Sequence, residues 1–217
     1  VPFAVDTDEL TNYELGWKLD LLDSNLRFNG AVFFSDIEDL QTGIFDASIT
    51  NLFFTDNAAD AEVKGVEGDI LWMPDSVDGL TVSGSFAFND SEITKVITPT
   101  NDVTKGDSLA FAPEFQFSLR ARYEWSIGSG RVAHFMPHAT YSDASYSDII
   151  TINRAKMDDW LMLGFTAGVT VDNWSAEFFA ENITDETAEI SRSFIYDRHR
   201  SYYARPFTGG MRLTYDF

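Results

Sequence analysis

Thr208-Gly209-Gly210-Met211-Arg212-Leu213-Thr214-Tyr215-Asp216-Phe217 are the last ten residues of the sequence. Met211, Leu213, Tyr215 and Phe217 fall on one side of an extended chain; Gly210, Arg212, Thr214 and Asp216 fall on the other. A period of two with an apolar and a polar side predicts a β-strand that separates two media. The pattern recurs along nearly the whole chain in segments of about ten residues, which is how a transmembrane β-barrel is written in sequence.

Working back, Trp174, Ala176, Phe178 and Ala180 form one such face, joined through Asp172-Asn173 to Leu161, Leu163, Phe165, Ala167, Val169 and Val171. Ala133, Phe135, Pro137, Ala139 and Tyr141 make another, although Pro137 lacks the donor that a strand paired on both sides needs. Phe115, Phe117, Leu119, Ala121, Tyr123 and Trp125 precede it, and Leu80, Val82, Gly84, Phe86 and Phe88 alternate most regularly of all. A third strand between Asn51 and Met73 slips in parity at Lys64-Gly65, where a β-bulge is expected. Leu26 to Phe34 continues towards Phe45, and Tyr13 to Leu21 opens the series. Asp90 to Ala112 reads as a long polar loop, and so does about 184–203.

Composition narrows the alternatives. Thirty-five acidic against 15 basic residues give a net charge of -20, which disfavours nucleic acid as a partner because phosphate binding needs Lys and Arg. With 44% hydrophobic and 15% aromatic residues the chain has too much apolar surface for disorder. Cysteine is absent, so there is neither a disulfide framework nor a thiolate metal site. No run approaches the ~18 apolar residues of a membrane helix. The opening residues, Val1-Pro2-Phe3-Ala4-Val5-Asp6, do not form a signal peptide.

Nine strands result, with connections alternating in length. Those after Leu22, Pro74, Trp125 and Val171 are short; those after Phe45, Asp90, Ser147 and Asn182 are long. Short turns are periplasmic and long loops external in such barrels. Trp72, Trp125, Trp174, Tyr215 and Phe217 then lie beside the short turns as an aromatic girdle at the membrane boundary. An odd count with an inward-running first strand implies missing amino-terminal strands. The expectation is an all-β fold: residues 1–217 as the carboxy-terminal portion, about nine strands, of one larger antiparallel transmembrane β-barrel domain.

Three stretches resemble a known family. They are Asn12-Tyr13-Glu14-Leu15-Gly16-Trp17-Lys18 with Leu26-Arg27-Phe28-Asn29-Gly30-Ala31-Val32-Phe33-Phe34, the segment Asn57-Ala58 to Gly65-Val66-Glu67-Gly68, and Glu181-Asn182-Ile183-Thr184-Asp185. In this order and spacing the chain resembles the carboxy-terminal barrel of TonB-dependent outer-membrane receptors. The resemblance implies a barrel of roughly 22 strands and an amino-terminal plug that this sequence does not contain. It also implies import of a scarce solute (ferric siderophore, cobalamin or oligosaccharide) driven through TonB. Barrel-assembly machinery reading the last strand and lipopolysaccharide around the barrel would be further partners. Where the family usually has Gly, five residues before the terminal aromatic, this chain has Arg212. A passive outer-membrane porin shares every strand-level feature and stays open as the alternative.

Candidate sites are few. Arg192, Tyr196, Arg198, Arg200 and Tyr202 make a basic, aromatic cluster in the last external loop of an otherwise acidic chain. It suits an anionic substrate, by guanidinium forks and aromatic contact; the alternative is contact with lipopolysaccharide phosphate, or packing and ion pairs to Asp197 and neighbouring loops. Arg120, Arg122 and Glu124 face inward, as a charge ladder towards plug or substrate or as plain polar wall. His134 and His138 share that face, ~13 Å apart along a strand, too far to hold one metal ion. Acidic loop residues such as Asp143 with Asp148 lack calcium-loop spacing. No nucleophile–base arrangement, phosphate loop or catalytic carboxylate pair stands out, so neither an enzyme nor a cofactor or metal site is expected.

Overall fold

A computed structural model describes residues 5–46, 52–97, 102–195 and 198–217. The main sheet is built from β1 (Glu9–Leu21), β2 (Leu26–Asp46), β3 (Leu52–Trp72), β4 (Leu80–Val96), β5 (Phe115–Gly128), β6 (Arg131–Ser142), β9 (Trp160–Val171), β10 (Trp174–Glu181) and β13 (Thr208–Tyr215). These nine strands are antiparallel and lie in the order β1-β2-β3-β4-β5-β6-β9-β10-β13. Two short ladders stand apart, β7 (Ser145–Tyr146) with β8 (Lys156–Met157), and β11 (Glu189–Ile195) with β12 (Arg198–Tyr203).

Register keeps each medium on its own side. Leu19, Phe28, Ile70, Gly84, Leu119, Ala139 and Leu163 are successive partners across seven strands. One position over, Lys18, Asn29, Asp69, Ser85, Ser118, Thr140 and Met162 make the parallel row on the opposite face. A slip of one residue would exchange the two rows, so the pattern fixes the pairing. The polar face is concave: an open trough of about 950 Å³ lies against Glu14, Lys18, Glu67, Asp69, Gln116 and Thr140. The apolar face is uncovered, with Leu15, Leu213 and Met211 at 71%, 68% and 80% exposure. Phe178, at 46%, is likewise no core residue of a globule. Exposed apolar area of this extent requires a lipid solvent.

Aromatic rings knit the outer face across strands. Phe135, Phe165 and Phe178 run over β6, β9 and β10 at 5.6 and 6.0 Å between ring centroids. Trp17 lies over Gly30, where a Cβ would collide with the indole. The short turns use left-handed backbone: Leu22, Asp23 and Ser24 have φ of 52°, 53° and 71°, and Asp172 has 51°.

The structure departs from the sequence reading in four places. No bulge occurs at Lys64-Gly65; pairing there is continuous with Phe34-Phe33 and with Asp90-Asn89. Val63 simply occupies the concave face and Lys64 the outer one, above the apolar band, where it pairs with Asp90 at 3.0 Å. The bulges lie further out, around Leu40 in β2 and opposite Asp60 and Ala61 of β3, where Thr94 of β4 is the extra residue. β4 continues to Val96, into the segment read as loop, because a strand with water on both faces keeps its ladder but loses its alternation. The last loop contains the β11–β12 hairpin. At Pro137 the ladder to β9 persists while that to β5 omits Pro137 and Met136, so the missing donor costs one side only.

Candidate functional site

On the concave face, β5, β6, β10 and β13 pair their charged and imidazole side chains, along β5 and across the glycines of β9. Arg122 on β5 donates from Nε and Nη2 to Glu124 Oε1 at 2.9 and 2.7 Å. Arg120 stands beside His138 in the β5–β6 register. His138 Nε2 meets Glu181 Oε2 of β10 at 2.7 Å, passing over Gly164 of β9. Four residues along, the buried His134 passes over Gly168, and its Nε2 lies 3.3 Å from Glu177 Oε1, out of line for a hydrogen bond. Arg212 of β13 approaches the same carboxylate at 3.4 Å. A Cβ at Gly164 or Gly168 would collide with the imidazole above it, so only glycine leaves the crossing open. The sequence pattern singles out the two histidines but not their partners. A usable signal exists: His134/His138, Gly164/Gly168 and Glu177/Glu181 are spaced by four on three strands that become neighbours.

Above the apolar band the external loops form a canopy with its own small core. Ala58, Ala59, Ile93, Val103, Ile149 and Ile150 are buried together, with Leu40, Val96, Leu109 and Ala110 packed on them. Arg154 joins the two loops that cover the ends of β3 and β4. It donates to Ser108 O and Asp148 O at 2.8 and 3.0 Å and to Ser108 Oγ at 3.0 Å, and it stacks on Tyr146 at 3.8 Å. At the β2–β3 edge the Asp39 amide and Lys95 Nζ both donate to Asp60, at 3.0 and 2.9 Å. The Lys95 ammonium holds the Asp60 carboxyl below its ordinary pKa, against the opposing effect of burial.

The hairpin β11–β12 divides the basic cluster between two faces. Arg198, Arg200 and Tyr202 alternate along β12 on one face and are exposed. Arg192 lies on the other, opposite Ser201, next to the Phe194–His199 ring contact at 5.0 Å. There it is committed: Nε and Nη2 donate to Glu189 Oε1 and Oε2 at 2.7 and 2.6 Å. The Arg192 guanidinium lowers the pKa of Glu189, and the Glu189 carboxylate raises that of Arg192. Tyr196 lies outside the described residues. Among the described residues no group of three or more His, Cys, Asp or Glu is arranged to hold a metal ion.

Comparison with known proteins agrees with this architecture. The profile described as "TonB dependent receptor-like, beta-barrel" matches residues 9–183, most of the chain. The chain belongs to that family. Over 125 residues it is 30% identical to the metal-pseudopaline receptor CntO of Pseudomonas aeruginosa, covering 58% of this chain and 16% of the relative. The probable TonB-dependent siderophore receptor PiuA of Acinetobacter baumannii is 23% identical over 156 residues, 67% of this chain and 19% of the relative. Among solved structures, the ferric yersiniabactin uptake receptor FyuA from Yersinia pestis superposes with a TM-score of 0.77 at 17% identity. That match spans 100% of this chain and 32% of FyuA. The Acinetobacter baumannii receptor PiuA gives 0.74 at 19% identity, over 97% and 29%. The chain therefore spans about a third or less of the receptors it matches.

As part of a TonB-dependent receptor barrel, the protein resides in the outer membrane of a Gram-negative bacterium, in a family of receptors and transporters rather than enzymes. Trp72, Trp125, Trp174 and Tyr215 all lie on the apolar face at its short-turn end. Their rings are partly exposed, and Trp174 contacts Tyr215 at 4.7 Å, which in turn meets Phe217 edge-on at 5.0 Å.

Proposed function

We propose that this chain is the carboxy-terminal wall of a barrel of roughly 22 strands, contributing its last nine. The wall would surround a plug encoded upstream, and the whole protein would import an anionic metal chelate through TonB. The observation that carries this reading is the family match over residues 9–183 on a sheet whose polar face is concave. The matched proteins, a metal-pseudopaline receptor and a probable siderophore receptor among them, support a chelate over cobalamin or oligosaccharide. A passive porin would not account for that family match. The inward rungs from Arg120, Arg122 and Glu124 to Arg212 line the passage. The girdle of Trp72, Trp125, Trp174, Tyr215 and Phe217 seats the barrel at the periplasmic boundary, where Trp and Tyr are favoured. The last strand is read by the assembly machinery, and the external outer face meets lipopolysaccharide.

Arg198, Arg200 and Tyr202 present a strip of two guanidinium groups and a phenol at steps of ~7 Å along one strand face. Such a strip fits carboxylate or phosphate oxygens of an incoming chelate. The test is accumulation of radioiron-labelled chelates by cells carrying the full-length gene. Uptake should require both the receptor and TonB, and Arg198→Ala with Arg200→Ala should lower it about tenfold. Uptake that persists without TonB would overturn the active-import reading. Unaltered uptake by the double variant would remove the strip from it.

A further inference from the structure

We infer that Glu189 and Arg192 are positioning residues for the Arg198–Arg200–Tyr202 strip, and that Arg192 does not itself touch the cargo. The inference rests on the anion-capture reading of that strip and assigns its basic residues two different tasks.

The hairpin carrying the strip is a two-stranded ladder outside the main sheet, and an isolated ladder of two strands is marginal in water. Its pairing is broken once, between Glu189 and Ser191, where Ile190 is the extra residue. A bulge bends the strand and increases its twist, so this is where β11 would swing against β12. Glu189 closes that point. Its two oxygens take both arms of the Arg192 fork, on the face that Ser201 of β12 shares. One carboxylate thus ties together the two sides of the bulge within β11. The pair is partly withdrawn from water, with side-chain exposures of 11% and 27%, so it is less screened than a surface ion pair. β11 also lies beside β8, which gives the clasped strand a fixed neighbour.

Strand alternation sets the consequence. Arg192 is opposite Ser201, while Ser193 is opposite Arg200. Arg192 and Arg200 therefore point away from each other across the ladder. An anion on the Arg200 face cannot reach Arg192, whose Nε and Nη2 are already occupied by Glu189. Loosening the clasp would let the strip residues lose their common face, and a multidentate anion would then have to order them at an entropic cost.

The experiment uses the full-length receptor in detergent, with ferric citrate as a polycarboxylate probe and equilibrium dialysis of radioiron as the readout. Arg200→Gln should weaken binding about fivefold. Glu189→Gln and Arg192→Gln should each weaken it about threefold, with the double variant no worse than either single one. The exchange Glu189→Arg with Arg192→Glu should restore binding to within about twofold. Backbone amide exchange in the unaltered receptor should show protection over residues 198–203. Weakening by Arg200→Gln with no effect of Glu189→Gln or Arg192→Gln would overturn the positioning role and leave anion capture standing. Loss with Arg192→Gln but not with Glu189→Gln would make Arg192 a direct contact, which also overturns it. If the unaltered receptor ignores the probe, or Arg198→Gln with Arg200→Gln changes nothing, the capture reading falls and takes this inference with it. An unprotected hairpin in the unaltered receptor would overturn the clasp whatever the variants do.

Discussion

The lower part of the sheet and its external extension are made of the same three strands, yet they obey different rules. From Leu26 to Ile37, β2 pairs with β3 without interruption, and the outer face reads Leu, Phe, Gly, Val, Phe. The outer positions then turn acidic at Asp36, Glu62 and Glu92, and beyond Ile37 the ladder shifts twice within a few residues while Asp39 takes a φ of 57°. Where one face meets lipid, a slipped register would bury charge and expose leucine, so pairing is strictly enforced. Where water touches both faces that penalty vanishes, and bulges, local caps and small cores decide the shape instead.

The sharpest way to break this contrast is to put one charge on either side of one strand. Leu119 and Ser118 are adjacent on β5; Leu119 lies mid-strand on the apolar face, and Ser118 lines the trough. Leu119→Arg is expected to cost about 2–4 kcal/mol if the outer face meets hydrocarbon at its midplane. Ser118→Arg should cost less than about 0.5 kcal/mol, as at a wetted surface. Urea titration of the full-length barrel folded into vesicles measures both. Equal costs would mean that the two faces see the same solvent.

The same contrast explains what is legible in the sequence. All nine strands of the main sheet, and the side each residue faces within the apolar band, follow from alternation, because alternation is the imprint of two media. Val63-Lys64 misleads for the same reason: it lies where that imprint ends, so an ordinary change of environment looks like a bulge. Clean alternation is likewise lost at the outer end of β4, which runs on from Asp90 as Ser91-Glu92-Ile93-Thr94-Lys95-Val96. The canopy core is invisible in the sequence because Ala58, Ile93, Val103 and Ile150 come from separate segments with no shared period. For the basic cluster, its existence is legible from charge, whereas its division into two faces depends on the hairpin register that sets Arg192 opposite Ser201, and the extra residue Ile190 brings Glu189 onto the Arg192 face.

An effect of similar size but confined to one region should be seen within the canopy. Ile150 is fully buried among residues from two loops and two strands. Ile150→Ala is expected to cost about 2–4 kcal/mol locally, from lost burial plus the cavity left behind. Because the canopy core is separate from the membrane sheet, the loss should raise amide exchange over 102–112 and 143–159 while β9 below Leu161 stays protected. A uniform rise through β9 would show that the two regions unfold as one unit, contrary to the distinction drawn from their registers.

The smallest effect concerns the bulge that marks the boundary. Asp60 accepts from the Asp39 amide and from Lys95, so one carboxylate holds the left-handed residue of β2 and ties β3 to β4. Its folded pKa lies below the ordinary value of 3.8. A lowered carboxyl pKa stabilises the folded state above the unfolded value, and that contribution is lost as pH falls through the folded one. Protection of the Asp39 amide, referenced to its intrinsic exchange rate, should therefore stay level from about pH 7 to 5 and decline only below about pH 4. Asp60→Asn keeps an acceptor for the amide but removes the charge, so its protection should be lower at neutral pH and should not change on acidification. Protection in the unaltered protein that persists unchanged to about pH 2 would assign the bulge to backbone pairing alone. The external register would then be set as it is in the membrane, by the ladder itself.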